Sequence, residues 1–373
     1  MKCKLGALCS YVKEKVKTET LDKKNYISTE NMLPNKGGIT LASSLPSTEY
    51  TSKYQAGDIL ISNIRPYFKK IWKAEYDGGC SNDVLVLRAN DDCYIDFLYY
   101  ALASDSFFDY ATATAKGTKM PRGDKTAIMD FMVSCFDLKI QVYIADILKS
   151  LDNKISNNNK INDNLEQQAA ALFAYFYDRA ETEIGFTEII QILGGGTPKT
   201  GENSYWNGNI PFFTPKDVGL PYTLTTEKTI TEEGLAHCNS RLYPINTVFV
   251  TARGTVGKVG LPGVPMAMNQ SCYALVGKNL HQLMVYFYTL ATVKRLKHKA
   301  SGAVFDAITT KDFSSEYINR LSKQDEKSFL KLAEPMFQMM LSNILENKKL
   351  ENMRDTLLPK LMSGEIDVED VKI

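Results

Sequence analysis

Apolar side chains recur in steps of four and three along two long stretches of the chain, the spacing of a seam between paired helices. The first stretch runs from about residue 141 to 179, with seam positions Ile144, Leu148, Leu151, Ile155, Asn158, Asn162, Leu165, Ala169, Leu172 and Phe176. The second runs from about residue 328 to 358, with Leu330, Ala333, Phe337, Met340 and Ile344, then Leu350, Met353 and Leu357 after a phase shift. We predict two long helices that pack against each other, the second ending at Pro359.

Three asparagines interrupt this seam. Asn158 and Asn162 occupy seam positions of the first helix, and Asn347 lies near the phase shift of the second. Two interpretations are open. The asparagines form a polar face tolerated near an exposed edge, or they are buried and fix the register of two antiparallel helices at some cost in stability.

Outside these stretches the apolar residues fall into short β-prone runs bounded by Gly, Asn and Pro. We predict strands at 59–62, 84–87, 247–251 and 272–276, with more helical stretches at 97–102 and 283–290. Each half of the chain therefore contains a mixed module of strands, loops and helix, followed by one long helix.

The second half repeats the first. Residues 54–65 align with 242–253 and residues 81–87 with 269–275, both at an offset of 188 positions, so that Arg65 falls on Arg253. A constant offset over separate blocks indicates an internal repeat. The predicted fold class is α+β: two mixed α/β modules, at 1–140 and 181–325, separated by two long antiparallel coiled-coil helices, at 141–180 and within 326–373, with a pseudo-twofold internal repeat.

Length and composition agree with two modules and point away from a membrane. The chain has 373 residues, and no apolar run reaches the roughly 18 residues of a membrane span. The first residues, Met1-Lys-Cys-Lys, lead into a polar segment. The seven cysteines are odd in number and contain no C-x-x-C pair, so we expect reduced packing residues. We predict a cytoplasmic protein with no membrane partner and no metal site.

The net charge is only +1. A protein that holds nucleic acid alone, by neutralising phosphates, is usually far more basic. If this chain binds DNA, we expect another component to supply much of the affinity.

The candidate binding residues lie on loops. The loop at 115–125 carries Lys116, Lys119, Arg122 and Lys125, and a counterpart at 301–311 precedes an Asp-Phe pair (312–313) like the pair at 130–131. The loop is either a solvated charged segment or a contact to phosphates and base edges, and its recurrence favours contact.

Two further loop clusters complete the candidate DNA-binding set. The segment after Gly194-Gly-Gly-Thr-Pro lacks the G-K-[ST] of a phosphate loop, and we predict a structured hairpin that presents Lys199, Lys216 and Asp217. Arg65 and Arg253 each follow a strand and can fork onto guanine or a phosphate, or pair with an acidic neighbour. Lys258 follows in the same loop as Arg253.

The sequence contains no recognisable catalytic motif. No [NDS]-P-P-[YFW], G-x-S-x-G, H-E-x-x-H or dinucleotide fingerprint is present. Glu346-Asn-Lys348 resembles a nuclease E-x-K but lies on the second long helix without an acidic strand before it. We therefore expect no catalytic residue in this chain.

Several of these segments resemble the specificity subunits of type I restriction-modification systems. Gly194-Gly-Gly-Thr-Pro, Tyr205-Trp-Asn-Gly-Asn-Ile-Pro-Phe and Thr214-Pro-Lys-Asp217 look like the opening of a target recognition domain of that family. The segments at 144–155, 164–166 and 353–366, the last reading Met-Arg-Asp-Thr-Leu-Leu-Pro-Lys-Leu-Met-Ser-Gly-Glu-Ile, look like its two conserved helical regions. The resemblance covers the whole chain, and residues 1–50 match it least, lacking the Gly-Gly-Thr-Pro opening.

The resemblance implies a non-catalytic subunit that reads a bipartite, gapped site in double-stranded DNA. In that family each recognition domain reads one half-site, and the antiparallel helices fix the gap. Two methyltransferase subunits dock on the helices and carry S-adenosylmethionine, and an ATP-dependent restriction subunit can join. The chain itself would hold no cofactor. Two alternatives remain: a similar subunit of another class of restriction-modification system, and a coiled-coil adaptor whose two modules bind proteins.

Overall fold

The computed structural model describes residues 2–219, 221–299 and 307–366. The chain divides into two compact units, each discussed by itself. Unit 1 comprises Met1–Ile155 and Lys349–Ile373, and unit 2 comprises Ser156–Lys348. Among the described helices, none is long and apolar enough to span a bilayer.

Unit 1 contains two four-stranded sheets, a two-stranded ribbon and helices. Its strands are β1 Lys2–Lys4, β2 Cys9–Tyr11, β3 Lys15–Lys17, β4 Tyr26–Ile27, β5 Tyr50–Tyr54, β6 Ile59–Ser62, β7 Ile71–Lys73, β8 Gly78–Cys80, β9 Val84–Ala89 and β10 Met132–Ser134. The strand orders are β2-β9-β6-β7, β3-β5-β8-β4 and β1-β10. The helices are α1 Ile95–Ala103, α2 Asp105–Ala113, α3 Lys125–Met129 and the long α4 Leu138–Tyr177, which continues into unit 2.

The central strand β6 is buried along its whole length because both faces of its sheet are covered. Ile59 and Ile61 contribute to a core that includes residues of α1, α2 and α4. Leu60, between them, belongs to a second core with Trp72 and Tyr54. Successive side chains of a strand point to opposite faces, so a continuous apolar run matches a strand packed on both sides.

Unit 2 contains a five-stranded sheet, a three-stranded sheet, a two-stranded ribbon and helices. Its strands are β11 Thr182–Gly185, β12 Ile190–Gly194, β13 Trp206–Phe213, β14 Tyr222–Thr223, β15 Lys228–Ile230, β16 Val248–Thr251, β17 Val259–Pro262, β18 Ala267–Met268, β19 Cys272–Gly277 and β20 Tyr317–Arg320. The strand orders are β12-β19-β16-β17-β14, β15-β13-β18 and β11-β20. The helices are α5 Phe186–Ile189, α6 Glu232–Ala236, α7 Gln282–Lys299, α8 Thr310–Ser314 and the long α9 Lys323–Ser363, which continues into unit 1.

The predicted repeat is confirmed by the strand order but corrected in detail. β2-β9-β6-β7 of unit 1 corresponds to β12-β19-β16-β17 of unit 2. Ile59 pairs with Leu87, whereas Val248 pairs with Leu275. Leu87 of β9 and Leu275 of β19 are 188 positions apart, as predicted. Their strand partners, Ile59 of β6 and Val248 of β16, are 189 positions apart. Arg65 consequently corresponds to Gly254 and not to Arg253. Arg65 and Gly254 both have a positive φ, 51° and 79° respectively.

The two Asp-Phe pairs also do not correspond. Asp130 follows the end of α3, whereas Asp312 lies within α8. The carbonyl of Phe131 accepts from Leu5 N–H at 2.8 Å, and in unit 2 the carbonyl of Glu316 accepts from Phe186 N–H at 2.8 Å. Residues 301–306 of the predicted counterpart loop lie outside the described residues.

The long helices extend over the predicted stretches with small differences. The first was expected at about 141–179 and spans Leu138–Tyr177; the second was expected at about 328–358 and spans Lys323–Ser363. The expectation that Pro359 ends the second helix is wrong, since the helix continues for another turn. Leu358 and Leu361, on either side of this proline, are buried in the unit 1 core with Ile144 and Leu148 of α4, and this packing compensates for the missing N–H of proline.

Within unit 2, α4 and α9 also share an apolar core. The predicted seam residues of both helices lie in or against one cluster: Leu165, Ala169, Leu172 and Phe176 of α4 with Leu330, Ala333, Phe337, Met340 and Ile344 of α9. The core continues into α7 through Phe287 and Tyr288.

The seam asparagines at 158 and 347 are buried and bonded to each other. Asn158 is 1% exposed and Asn347 is 7% exposed. Asn158 Nδ2 donates to Asn347 Oδ1 at 2.8 Å and to Glu346 Oε2 at 2.7 Å, and Asn347 Nδ2 donates to Asn159 Oδ1 at 2.8 Å. Burial excludes the exposed-edge interpretation for this pair.

Asn162 extends the same network by one turn. Its Oδ1 accepts from Asn343 Nδ2 at 2.8 Å, and its Nδ2 donates to the Met340 carbonyl at 3.4 Å. As the contacts on α4 advance from 158 to 162, those on α9 retreat from 347 to 343, so the two helices run antiparallel here. A slip along the helices would leave these buried amides unpaired, which costs about 1–3 kcal/mol per group.

We predict that Asn347→Leu destabilises the protein by about 1–3 kcal/mol, because it removes one of the two acceptors of the buried Asn158 amide. The double change Asn158→Leu with Asn347→Leu should recover much of this loss, since both polar partners are then removed. Urea unfolding of the full chain, followed by circular dichroism, measures both. Asn157→Leu, at an exposed position of α4, is the control, and an unchanged midpoint for Asn347→Leu would rule out a stabilising role.

Candidate nucleic-acid interface

In unit 1, three loops meet beyond the end of β6. We call residues 63–68, 81–83 and 115–124 loop cluster 1. Asn63 N–H donates to the Asp83 carbonyl at 2.8 Å, Gly123 N–H to the Asn63 carbonyl at 3.0 Å, and Arg65 N–H to the Pro121 carbonyl at 2.8 Å. Because main-chain hydrogen bonds fasten the loops to one another, their side chains form one surface carried by the buried sheet.

Arg65 has a left-handed backbone, with φ 51° and ψ 65°. This conformation costs an L-residue other than Gly roughly 1–2 kcal/mol. Its Nε is buried without a hydrogen-bond partner among the described residues, and the side chain as a whole is half-buried. Strain and an unused donor at one position are features that concentrate at functional sites.

The four basic residues of the 115–125 loop have different surroundings. Lys116 pairs with Asp124 at 2.5 Å, and Arg122 pairs with Asp83 at 3.0 Å. Both cations are largely exposed, at 80% and 58%, and such pairs contribute little stability. Lys119 is exposed in the bend of the loop, and Lys125 is exposed in the first turn of α3. All four cations can therefore face an anionic ligand without loss of the fold.

Asp124 has a second role at the start of α3. Hydrogen bonds from the Lys116 ammonium, and then from the N–H groups of Ala127 and Thr126, lower the pKa of the Asp124 carboxyl. It caps the helix by accepting from Thr126 N–H at 2.9 Å. The Asp124 carboxylate therefore fixes the residue at which the basic loop ends and α3 begins.

The sequence analysis missed two aromatic residues in loop cluster 1. Tyr67 and Phe68 are 47% and 39% exposed, and their ring centroids are 4.8 Å apart. Lys70 lies over the Phe68 ring at 5.9 Å. Exposed aromatic and cationic groups together suit contact with bases and phosphates. The Pro-Tyr-Phe that follows Arg65 could have indicated them.

Unit 2 has a corresponding set of loops beyond β16. We call residues 195–197, 214–219, 252–257 and 269–271 loop cluster 2. Ala252 N–H donates to the Ser271 carbonyl at 2.8 Å, and a Cβ added to Gly254 would lie 3.8 Å from Pro215 Cβ. The Thr197 hydroxyl bonds to the Gln270 amide oxygen. Loops that are distant in sequence are thereby brought together around Arg253.

Arg253 and Lys216 are the exposed cations of loop cluster 2 from the predicted set. Arg253 follows β16 and is exposed. Lys216 is 80% exposed and lies 3.6 Å from the Glu227 carboxylate. Lys199 lies just beyond the cluster, where its carbonyl accepts from Trp206 Nε1 at 3.1 Å. Gln270, which the sequence analysis did not name, adds an amide to the cluster.

Asp217 holds the loop that carries Lys216. Its Oδ2 accepts from Thr214 N–H at 2.8 Å and from Thr214 Oγ1 at 2.6 Å, and its Oδ1 accepts from Glu227 N–H at 2.8 Å. Both oxygens are therefore committed to the fold of the loop. The expected hairpin is present in part, since Lys216 and Asp217 lie between the paired strands β13 and β15 while Lys199 precedes β13.

Lys258 lies at the far end of the turn that begins at Arg253. Its N–H donates to Thr251 Oγ1 at 2.9 Å. Its side chain lines a cleft with residues of α7. Lys258 is therefore placed beside loop cluster 2, with α7 as its neighbour.

The candidate site is a set of loops that occurs twice on one topology. Each unit presents cationic loops beyond the corresponding strand of the corresponding sheet, β6 in unit 1 and β16 in unit 2. Main-chain hydrogen bonds hold these loops together. The model of the type I restriction modification DNA specificity domain matches residues 3–167 and 183–327. The chain therefore belongs to the specificity subunits of type I restriction-modification systems.

The chain is also similar to curated specificity subunits, and its fold is similar to that of a solved structure. The chain is 24% identical to the type I restriction enzyme HindI specificity subunit of Haemophilus influenzae, over 91% of this chain and 94% of that protein. It is 31% identical to the EcoR124I/EcoR124II specificity subunit of Escherichia coli over 34% of each chain. The fold resembles the crystal structure of the type I restriction-modification S subunit from M. genitalium, with a TM-score of 0.60 and 18% identity over 97% of this chain and 96% of that one.

We predict that Arg65→Gly separates stability from DNA binding. Glycine adopts the left-handed backbone without strain but loses more chain entropy on folding, so unfolding should change by no more than about 1 kcal/mol. Affinity for cognate DNA should fall by about 1–3 kcal/mol, the cost of removing one arginine that contacts a base. Thermal unfolding and fluorescence anisotropy measure the two effects.

Lys69→Gly is the matched control. Lys69 also has a positive φ, 51°, but its ammonium pairs with Asp105 at 2.9 Å. Like Arg65→Gly, the control removes one positive charge from a residue with a left-handed backbone. Equal affinities for wild type and Arg65→Gly would exclude Arg65 from the DNA contact.

Proposed function

We propose that this chain reads a bipartite, gapped DNA site, with loop cluster 1 contacting one half and loop cluster 2 the other. The observation that supports this most is the placement of cationic loops beyond the corresponding strands β6 and β16 in both units. Membership of the specificity-subunit family indicates that the ligand is DNA. Arg65, Lys116, Lys119, Arg122 and Lys125 are the proposed contacts of unit 1. Lys199, Lys216, Arg253 and Lys258 are those of unit 2, with Asp217 positioning its loop.

The two half-sites are proposed to differ in base sequence. Loop cluster 1 combines two arginines with exposed Tyr67 and Phe68, whereas loop cluster 2 has Arg253 with the amide of Gln270. Arginine suits guanine, an amide suits adenine, and apolar groups suit the thymine methyl. Because the same backbone carries unlike side chains, each unit would recognise its own sequence.

α4 and α9 are proposed to form the antiparallel coiled-coil spacer that fixes the gap. Support comes from the shared apolar core and from the buried network around Asn158, Asn162 and Asn347. Buried asparagines restrict register more than they add stability. The gap in the DNA site would then depend on this register.

We further propose that catalysis and cofactors belong to partner subunits. Two methyltransferase subunits would dock on this chain and carry S-adenosylmethionine, and an ATP-dependent restriction subunit would join them for cleavage. The net charge of +1 supports a shared DNA interface, since phosphate neutralisation by this chain alone would be weak. The methyltransferase would extrude the target base from the duplex.

The first test is methylation mapping by single-molecule sequencing of DNA from cells that carry the chain with its methyltransferase subunit. We expect a two-part motif with a fixed gap and a methylated adenine in each half, absent when the chain is deleted. A cell in which the methyltransferase is expressed but no motif depends on the chain would contradict the proposal and favour a protein-binding adaptor.

A second test addresses loop cluster 1. Lys119→Ala with Arg122→Ala should weaken DNA binding by about 1–3 kcal/mol for each base that the variant no longer touches, with assembly onto the methyltransferase unchanged. Electrophoretic mobility shift and size-exclusion chromatography measure these. Lys13→Ala with Lys23→Ala removes two exposed cations of unit 1 outside the loop cluster and should bind as wild type. Unchanged affinity in the first variant would remove the loop from the interface.

A further inference from the structure

α7 presents two lysines to a cleft that borders loop cluster 2. Lys294 and Lys297 are three positions apart, on one side of the helix, and both are exposed. They line a cleft of about 420 Å³ together with Lys258, which arrives from the start of β17. The remaining lining residues are Glu166, Val218, Gly257, Val259, Tyr286, Leu290 and Val293.

The charge in this cleft is not balanced. Within the described residues, the structure shows no ion pair for Lys258, Lys294 or Lys297. Glu166 is the one carboxyl among the lining residues, and burial, followed by the nearby Asp163, raises its pKa. Burial therefore opposes the charged form of the group that would offset the three ammonium ions. Among the described residues, the apolar floor of the cleft offers those ions no pairing partner.

The cleft is continuous with loop cluster 2. Gly257 has a φ of 72°, and a Cβ added there would lie 2.5 Å from Lys297 Cε and 3.2 Å from Lys297 Nζ. The turn that begins at Arg253 thus packs directly on Lys297. Lys258 and Lys297 therefore lie beside the turn that carries Arg253, and Lys294 lines the same cleft.

Stabilisation of the helix dipole does not account for both lysines. Basic residues favour the last turn of a helix, where the effect is confined. α7 ends at Lys299 as described, so Lys294 lies more than one turn from that end. Lys299, which is in the last turn, already pairs with Glu316. The helix dipole therefore does not explain the position of Lys294.

We propose that Lys258, Lys294 and Lys297 form a phosphodiester-binding site that contacts the DNA backbone beside the half-site of loop cluster 2. Lysine offers a mobile point charge without the planar fork of arginine, and contacts of that kind position a duplex without reading its sequence. The inference rests on the proposed function and extends the interface from the loops to a helix.

The test is a salt series on the complex of the full chain with its methyltransferase subunit. The variant Lys258→Gln/Lys294→Gln/Lys297→Gln is titrated against a duplex with the mapped motif and against a scrambled duplex. Affinity for both should fall by the same factor. The slope of log affinity against log salt should decrease by about 0.9 for each phosphate that is no longer neutralised, and the methylated motif should stay the same.

Two control variants isolate the charge. Lys258→Arg/Lys294→Arg/Lys297→Arg keeps all three charges and should bind close to wild type. Lys323→Gln/Lys327→Gln/Lys331→Gln removes three exposed charges from α9 of the same unit and should keep the wild-type salt slope. Thermal unfolding of each variant verifies that the fold is retained.

The outcomes separate this inference from the proposed function. If the triple glutamine variant keeps the wild-type affinity and slope while wild type prefers the motif, the phosphate site is excluded and the proposed function stands. A changed motif would show base reading and overturn the phosphate assignment. Loss of methyltransferase assembly, with unchanged binding of DNA by the isolated chain, would assign the surface to a protein partner. If wild type binds neither duplex, the proposed function itself fails.

Discussion

Burial of both faces of the central strands is the constraint on which the rest of this molecule depends. Every residue of β6 and of β16 is buried, and each buried Ile, Leu, Val or Phe side chain contributes about 1.5–3 kcal/mol. A strand held from both sides cannot shift by one residue without exchanging its two faces. The loops beyond it therefore begin from a fixed point. Their sequences can vary because the position of their first residue does not depend on them.

Much of the architecture could be predicted from the chain itself. The long helices α4 and α9, the strands β6, β9, β16 and β19 and the repetition of the module all follow from the pattern of apolar residues, because that pattern reflects burial. Charged and polar loop residues carry no such periodicity. The sequence located Arg65, Arg122 and Arg253 on loops, but hydrogen bonds between loops distant in sequence decide which side chains meet. Examples of such bonds are those of Asn63 with the segments at 83 and 123, and the bond from Thr197 to Gln270.

The errors have physical causes as well. The pairing of Arg65 with Arg253 matched identical residue types, although the pairing of the strands places Gly254 at the position of Arg65. Pro359 was expected to end a helix because proline removes a hydrogen bond, but the burial of Leu358 and Leu361 outweighs that local preference. The lysines of α7 carry no distinguishing signal in the sequence because exposed lysines are common on helices. Only their position beside Lys258 and Gly257 distinguishes them.

The one-position difference between the two copies has a wider consequence. At the bend after the central strand, the main chain adopts a left-handed conformation whether the residue is Arg65 or Gly254. The bend therefore tolerates either a bare backbone or a long cationic side chain. At such a position a side chain that faces the ligand can be acquired or removed in a single mutational step, with the surrounding loops unchanged. This gives the molecule a point at which selectivity can evolve while foldability is preserved.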